Sequence, residues 1–272
     1  MEQYHWLVPL GFVLGAYGTL VGAGGAFILV PILLLLYPQA SAETITSISL
    51  AVVFFNCLSG SVAYAGTKRI DYKSGLLFSV ATVPGAVAGA LVTRCVPRGP
   101  FDALLGVVLI IASIFIFVRP NPSSTARTKA SAHQFRRTLV DSEGKTYDFS
   151  YSLPVGLALS LVIGFLSSLL GIGGGIIHVP VLILLLSFPV HIATATSHFM
   201  LAIMALAATL VHVVTGGFEH GGIHRTIALS VGMIIGAQLG AILSDRLRGH
   251  LIVRALAVAL ALVGLRLLWT TF

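Results

Sequence analysis

Two glycine clusters carry the strongest chemical signal in the chain. The first is Gly22, Gly24 and Gly25, and the second is Gly171, Gly173, Gly174 and Gly175. Each lies inside a long apolar run. Glycine takes backbone angles that other residues avoid, and it lets other segments approach closely. A helix broken inside a membrane exposes N–H groups at its new start. Those groups, with the helix dipole, make a site for an anion. Half-helices over Ala26 to Leu36 and Ile176 to Leu186 fit this reading. Irregular backbone at membrane depth is tolerated only inside protein or at a water-filled cavity. Glycine used for tight helix packing is the competing reading. A nucleotide loop is excluded, because no Lys follows the glycines and no strand precedes them.

Hydroxyl groups come next. Thr46 and Ser47 stand near the start of the second apolar run, with Thr44, Ser49 and Asn56 on the same run. Thr194, Thr196 and Ser197 begin a similar run in the second half. These side chains offer donors to an oxyanion, or else cap and cross-link helices. His178, His198 and His212 sit in apolar context, and ionisable groups inside a membrane are functional candidates. His198 and His212 are 14 residues apart, so they share a helix face at opposite ends. Histidine titrates near neutral pH, and both are candidates for coupling a proton to anion movement. No carboxylate or Cys accompanies them, so no metal site and no cofactor are expected. Cys57 and Cys95 form no CxxC pair and read as free thiols. Asp102 and Asp245 lie near span ends, as do Arg94, Arg98, Arg254 and Arg266. The lack of a carboxylate at mid-span argues against a cation site and for an anionic or neutral substrate.

The elements that hold these residues follow from composition. Of 272 residues, 57% are hydrophobic and 9% are charged. So few charges cannot cover a soluble domain, and disordered chains are polar. The net charge of +7 then reads as basic loops of a membrane protein. No basic stretch is interleaved with aromatics, so nucleic acid is not a partner. Met1 to Trp6 carries no Lys or Arg and no small-residue cleavage site follows, so the first span is expected to be retained. Apolar runs cover 7–36, 44–66, 74–93, 100–118, 154–187, 192–216, 225–244 and 250–271. They are too long and too continuous for barrel strands. The expected class is an all-α integral membrane protein of about eight segments.

The chain divides into a membrane half at 1–118, a polar basic linker at 119–153 and a second membrane half at 154–272. The halves match in order. Val21 to Pro31 aligns with Leu170 to Pro180, Thr46-Ser47 with Thr196-Ser197, and Gly85-x-x-x-Gly89 with Gly232-x-x-x-Gly236. Internal duplication is a common plan of secondary transporters. The runs 7–36 and 154–187 are too long for one straight crossing, so each is either a tilted broken helix or a hairpin. Single crossings give parallel repeats and hairpins give inverted ones. Basic residues segregate somewhat better with hairpins, and both arrangements put the linker in the cytoplasm.

The repeated Gly-x-Gly-Gly after a short apolar arm, each followed by a Pro-containing apolar arm, resembles the sulfite exporter TauE/SafE family. The Thr-Ser starts and the basic linker agree with it, over about 7–118 and 154–271. The resemblance implies inverted repeats with hairpin-containing halves. It also implies transport of a sulfur-containing anion such as sulfite, sulfoacetate or another organosulfonate across the bacterial inner membrane. The halves differ at Ala26 against Gly175 and Leu29 against His178, so any site is asymmetric. The expected function is a secondary transporter for a small anion, with the lipid bilayer as its surroundings. A passive anion channel would share the polar-lined breaks. A membrane enzyme would need a nucleophile–base pair or metal cluster at depth, and the sequence offers neither.

Overall fold

The computed structural model describes residues 4–117, 134–218, 221–244, 261–262 and 264–269. The first apolar run is two helices, α1 (Leu7–Val21) and α2 (Ala26–Leu36), parted at the glycine cluster. Then come α3 (Ala42–Gly66), α4 (Tyr72–Thr93) and α5 (Arg98–Phe117). Side chains set the starts of two of them: Ser41 accepts the Thr44 N–H, and Asp71 accepts the Ser74 N–H. The second half repeats the order as α6 (Leu153–Leu170), α7 (Gly175–Leu184), α8 (Val190–Val214) and α9 (Gly222–Leu243). Among the described residues, α3, α4, α6, α8 and α9 are long and apolar enough to cross a membrane. The half-helices α1, α2 and α7 are too short to be counted with them. Most of the eighth run, 250–271, lies outside the described residues.

The packing decides between a tilted helix and a hairpin. The guanidinium of Arg225 stands 3.7 Å from the Tyr37 ring and 6.0 Å from the Tyr4 ring. Both ends of the first run therefore lie at one end of the molecule, and the chain turns back at its glycines. The second run does the same. Tyr151 and Phe188 are in ring contact at 5.2 Å, and Leu186 packs on Gly156. The two hairpins open toward opposite ends: the first beside the start of α3, the second beside its far end.

The molecule is apolar outside and partly polar within. Val62, Val80, Leu210, Ile227 and Ile242 are exposed, whereas Thr46, Ser47, Asn56, Thr82 and Thr93 are fully buried. This reverses the soluble pattern and suits a lipid surround. Several buried hydroxyls are satisfied one turn back, as Ser79 is on the Gly75 carbonyl and Thr82 on that of Phe78. Helix pairs form across the halves. α1 lies parallel to α9, with Gly232, Gly236 and Gly240 against the carbonyl oxygens of Val8, Phe12 and Ala16. α4 lies parallel to α6, with Gly85 and Gly89 against those of Leu161 and Phe165. Without a side chain these backbones meet directly, which is how helices associate where no hydrophobic drive exists. This packing shifts the expected alignment by one turn: Gly236 and Gly240, rather than Gly232 and Gly236, do what Gly85 and Gly89 do. α3 and α8 run antiparallel at the centre. Glu43 meets Thr215 at one end, and His198 meets Gly60 and Tyr64 toward the other.

The linker corrects the all-α expectation. Residues 134–152 form an antiparallel hairpin of β1 (Gln134–Val140) and β2 (Thr146–Ser152), with Phe135 opposite Tyr151 and Val140 opposite Thr146. Its turn uses Gly144 at φ +80°. Tyr147, Phe149 and Tyr151 face inward, where Phe149 and Phe188 are 4.5 Å apart. Arg137 grips the buried Asp71 through two nitrogens, the closer at 2.6 Å, and Ser142 N–H donates to the Thr67 carbonyl. The fold is thus mainly helical with one docked β-hairpin. The first part of the linker, 119–133, lies outside the described residues.

Candidate anion site

The two breaks have one local geometry. At the end of α1, Gly22 takes φ +84°, Ala23 N–H donates to the Gly18 carbonyl, and Gly22 N–H donates to that of Thr19. At the end of α6, Gly171 takes φ +67°, with Ile172 bonded to Ser167 and Gly171 to Ser168. Both ends are Schellman turns, which close the last carbonyls of a helix. Two further left-handed glycines then start the half-helices: Gly24 and Gly25 at φ +72° and +79°, and Gly173 and Gly174 at φ +73° and +71°. A side chain is strained at each of these angles, which explains the Gly-x-Gly-Gly spacing.

The breaks meet each other. A Cβ on Gly175 would run into Ala23, and one on Gly173 would sit 3.3 Å from Ala26. α3 and α8 flank the meeting point. Thr46 packs on Gly171 and Thr194 on Gly22, while Val53 reaches Gly24 and Gly173, and Leu201 reaches Gly24 and Gly174. Packing therefore makes Thr194, rather than Thr196, the counterpart of Thr46. All six glycines expected at the site are brought together. The half-helices α2 and α7 both begin there, with their positive dipole ends inside the protein.

The expected hydroxyls separate. Thr46 Oγ1 bonds to the Ala42 and Glu43 carbonyls, and Ser47 Oγ to that of Glu43 at 2.6 Å. Both are used up within their own helix. Thr196 Oγ1 accepts the Asp71 N–H at 3.0 Å and so ties α8 to the start of α4. Ser197 is fully buried, and its hydroxyl has no hydrogen-bond partner. Two residues that sequence reasoning missed behave alike. Ser167 and Ser168, in the last turn of α6, are fully buried with unpartnered hydroxyls. Ser167 Oγ stands 2.7 Å from where a Cβ of Gly174 would lie. Their position one turn before the second glycine cluster was the available signal. Ser49 donates to the Gly171 carbonyl at 2.7 Å, and Thr19 donates to Asn56 at 2.7 Å.

The histidines do not form one site. His198 packs edge-on to Tyr64, with ring centroids 5.5 Å apart, and lies against Gly60. Neither ring nitrogen has a hydrogen-bond partner. His212 lies at the other end of α8, about 21 Å along the helix. Its Nδ1 is beside Gly217, near Ser47 and the Arg94–Glu43 ion pair at 3.2 Å. His178 is buried on α7.

Full charges stay away from the breaks. Each described Arg and Lys stands in a loop, in the β-hairpin, or near a helix end. Several pair there: Arg98 with Asp102, Arg137 with Asp71, Arg69 with Asp141. Burial pushes the Asp141 carboxyl up, but N–H groups of Lys145 and Glu143, the Tyr147 hydroxyl and Arg69 outweigh it and hold it below the usual carboxylate range. Positive potential at the breaks therefore comes from backbone N–H groups and helix dipoles.

Comparison with known proteins agrees with this architecture. The family described as "Sulfite exporter TauE/SafE" matches residues 7–267. The chain is 33% identical over 270 residues to "Probable membrane transporter protein YunE" of Bacillus subtilis (strain 168), covering 97% of this chain and 96% of the relative. It is 26% identical over 273 residues to "Probable membrane transporter protein MJ0441" of Methanocaldococcus jannaschii, covering 96% and 94%. No solved structure matches. A multi-pass helical membrane protein with two matched glycine breaks, aligned to this family along nearly its whole length, belongs to the TauE/SafE family of membrane transporters.

Proposed function

We propose that this membrane transporter is a secondary carrier of a small sulfur-containing anion, sulfite or an organosulfonate, working by alternating access. The observation that carries the reading is the contact of two left-handed glycine breaks, each starting a half-helix inside the protein. Such starts hold an anion without a fixed cation. Gly25, Gly173 and Gly174 supply backbone N–H groups, Gly22, Gly24 and Gly171 shape the turns that spend theirs, and Ser197 supplies a free hydroxyl. Thr46 and Thr196 position the break and its flanking helix. The family description supports the choice of a sulfur oxyanion.

The halves act as inverted repeats, a reading supported by the antiparallel course of α3 and α8 and by the hairpins opening to opposite ends. One half rocking against the other would expose the breaks to each side in turn. The β-hairpin end, with Lys68, Arg69 and Lys73, faces the cytoplasm of an inner membrane, as the positive-inside rule directs. His198 couples the cycle to a proton, and His212 guards the opposite end.

Purified protein in proteoliposomes, given radiolabelled sulfite, methanesulfonate and a control cation, tests the reading. Saturable anion uptake is expected, reduced when His198→Ala is driven by a pH gradient. Uptake of the cation without the anions refutes a carrier of anions. Non-saturating anion flux far above carrier turnover makes the protein a channel.

A further inference from the structure

We propose that the site selects singly charged oxyanions, such as sulfonates, over dianions such as sulfate, and that Ser167, Ser168 and Ser197 are its hydroxyl donors. The inference rests on the anion-carrier reading and narrows its substrate class.

Three fully buried hydroxyls around the breaks have no partner. A buried polar group left unpaired is costly, and native proteins satisfy nearly all of them. The other fully buried hydroxyls of these helices obey that rule, and the unpartnered Ser61, Thr209 and Ser230 are less completely buried. Ser79, Thr82, Thr93 and Thr226 each donate to a carbonyl four residues back. Ser167 and Ser168 lie in the last turn before the second break, and Ser167 Oγ is directly beside Gly174, which starts α7. Ser197 shares a face of α8 with Thr194 and Leu201, which pack on Gly22 and on Gly24 and Gly174. The three hydroxyls thus border the point where the half-helices begin.

At its own break the first half has no such free set among the described residues. Gly18 stands where the second half has Ser167. Thr19, matching Ser168, is taken up by Asn56. Ser49, matching Ser197 in the register set by Thr46 and Thr194, is taken up by the Gly171 carbonyl. The free donors are therefore concentrated on the second break, and an oxyanion accepting from them would remove the unpaired cost.

Charge selection follows from what these donors are. Hydroxyls and backbone N–H groups are neutral dipoles, and no described Lys or Arg stands at the breaks. Desolvation cost grows with the square of the charge, about fourfold from a monoanion to a dianion, whereas attraction to fixed dipoles only doubles. A site without a full positive charge therefore holds one negative charge and rejects two.

Methanesulfonate and sulfate separate charge from shape, since both present tetrahedral sulfur with oxygens at fixed charge near neutral pH. Uptake of each by the full chain in proteoliposomes should give a KM for methanesulfonate about tenfold or more below that for sulfate. Ser167→Gly, which installs the residue of the first half, and Ser197→Ala should each raise the methanesulfonate KM about tenfold, with unchanged thermal stability. Ser79→Ala, far from the breaks, should leave it unchanged. Equal or tighter handling of sulfate overturns the charge selection, and wild-type KM in both serine variants overturns the donor assignment. Either result leaves the anion-carrier reading intact. Failure of the unaltered protein to take up any anion refutes that reading and this one with it.

Discussion

At the scale of single residues, a glycine in this protein can serve a close contact, a left-handed angle, or both, as Gly25 does. At Gly175 a Cβ would strike the backbone of Ala23, whereas at Gly216 the angle is left-handed, φ +79°, and the space is open. Gly175→Ala should therefore cost about 2–3 kcal/mol through overpacking of the joined breaks. Gly216→Ala should cost only about 1 kcal/mol, from backbone strain alone. Thermal unfolding in detergent would rank them, and equal losses would refute a close contact between the breaks. The glycines of the site were legible in the sequence, because no other residue suits three left-handed positions in four. Hydroxyl use was not legible. Ser47 and Ser197 look alike on paper, yet one bonds back to Glu43 and the other is left free. That difference depends on rotamers and on which helix stands opposite, which a spacing argument does not contain.

At the scale of elements, the β-hairpin shows what hydropathy reading overlooks. Thr146 to Ser152 alternates polar and aromatic residues, and its turn ends in Gly144, so a strand pair was readable there. Its basic charge marks topology and says nothing of strands. Its docking depends on Arg137 and the buried Asp71. Arg137→Ala should leave that carboxylate without its cation and destabilise the docked hairpin by about 2 kcal/mol, the usual buried-pair loss reduced because Arg137 is partly exposed. Faster proteolysis within 134–152 is the readout, and wild-type resistance would show that the aromatic contacts suffice. Acid should act on the same element. Asp141 is held below its ordinary value, so its contribution is present at neutral pH and is lost as pH falls through that lowered value. Protection of the hairpin should decline in acid only below the ordinary carboxylate range, and the decline should vanish in Asp141→Asn.

At the scale of the whole molecule, the sequence left two topologies open and side-chain contacts choose between them. The duplicated order and the long first runs were visible, but their direction was not, since a glycine break permits either continuation or return. Arg225 between Tyr4 and Tyr37 settles the first run as a return. In a Cys95→Ser background, cysteines placed at Tyr4 and Tyr37 should react with an impermeant thiol reagent from the same side of a vesicle. A cysteine at Lys68 should react from the other. Labelling of the first two from opposite sides would restore the single crossing.

The exchange of helices between halves bears on how the protein is made. α1 emerges first, yet its backbone-to-backbone partner α9 is more than 200 residues later, and the Gly171 carbonyl that Ser49 closes is 122 residues after it. A ribosome that has finished the first half has delivered a hairpin whose glycine tip lacks Thr194, Leu201 and the sister break. Assembly must then wait for the second half, and nascent chains stopped at the linker should remain open to quality-control proteases until the sister half is supplied. Two halves expressed as separate chains should protect each other from degradation, and neither should persist alone.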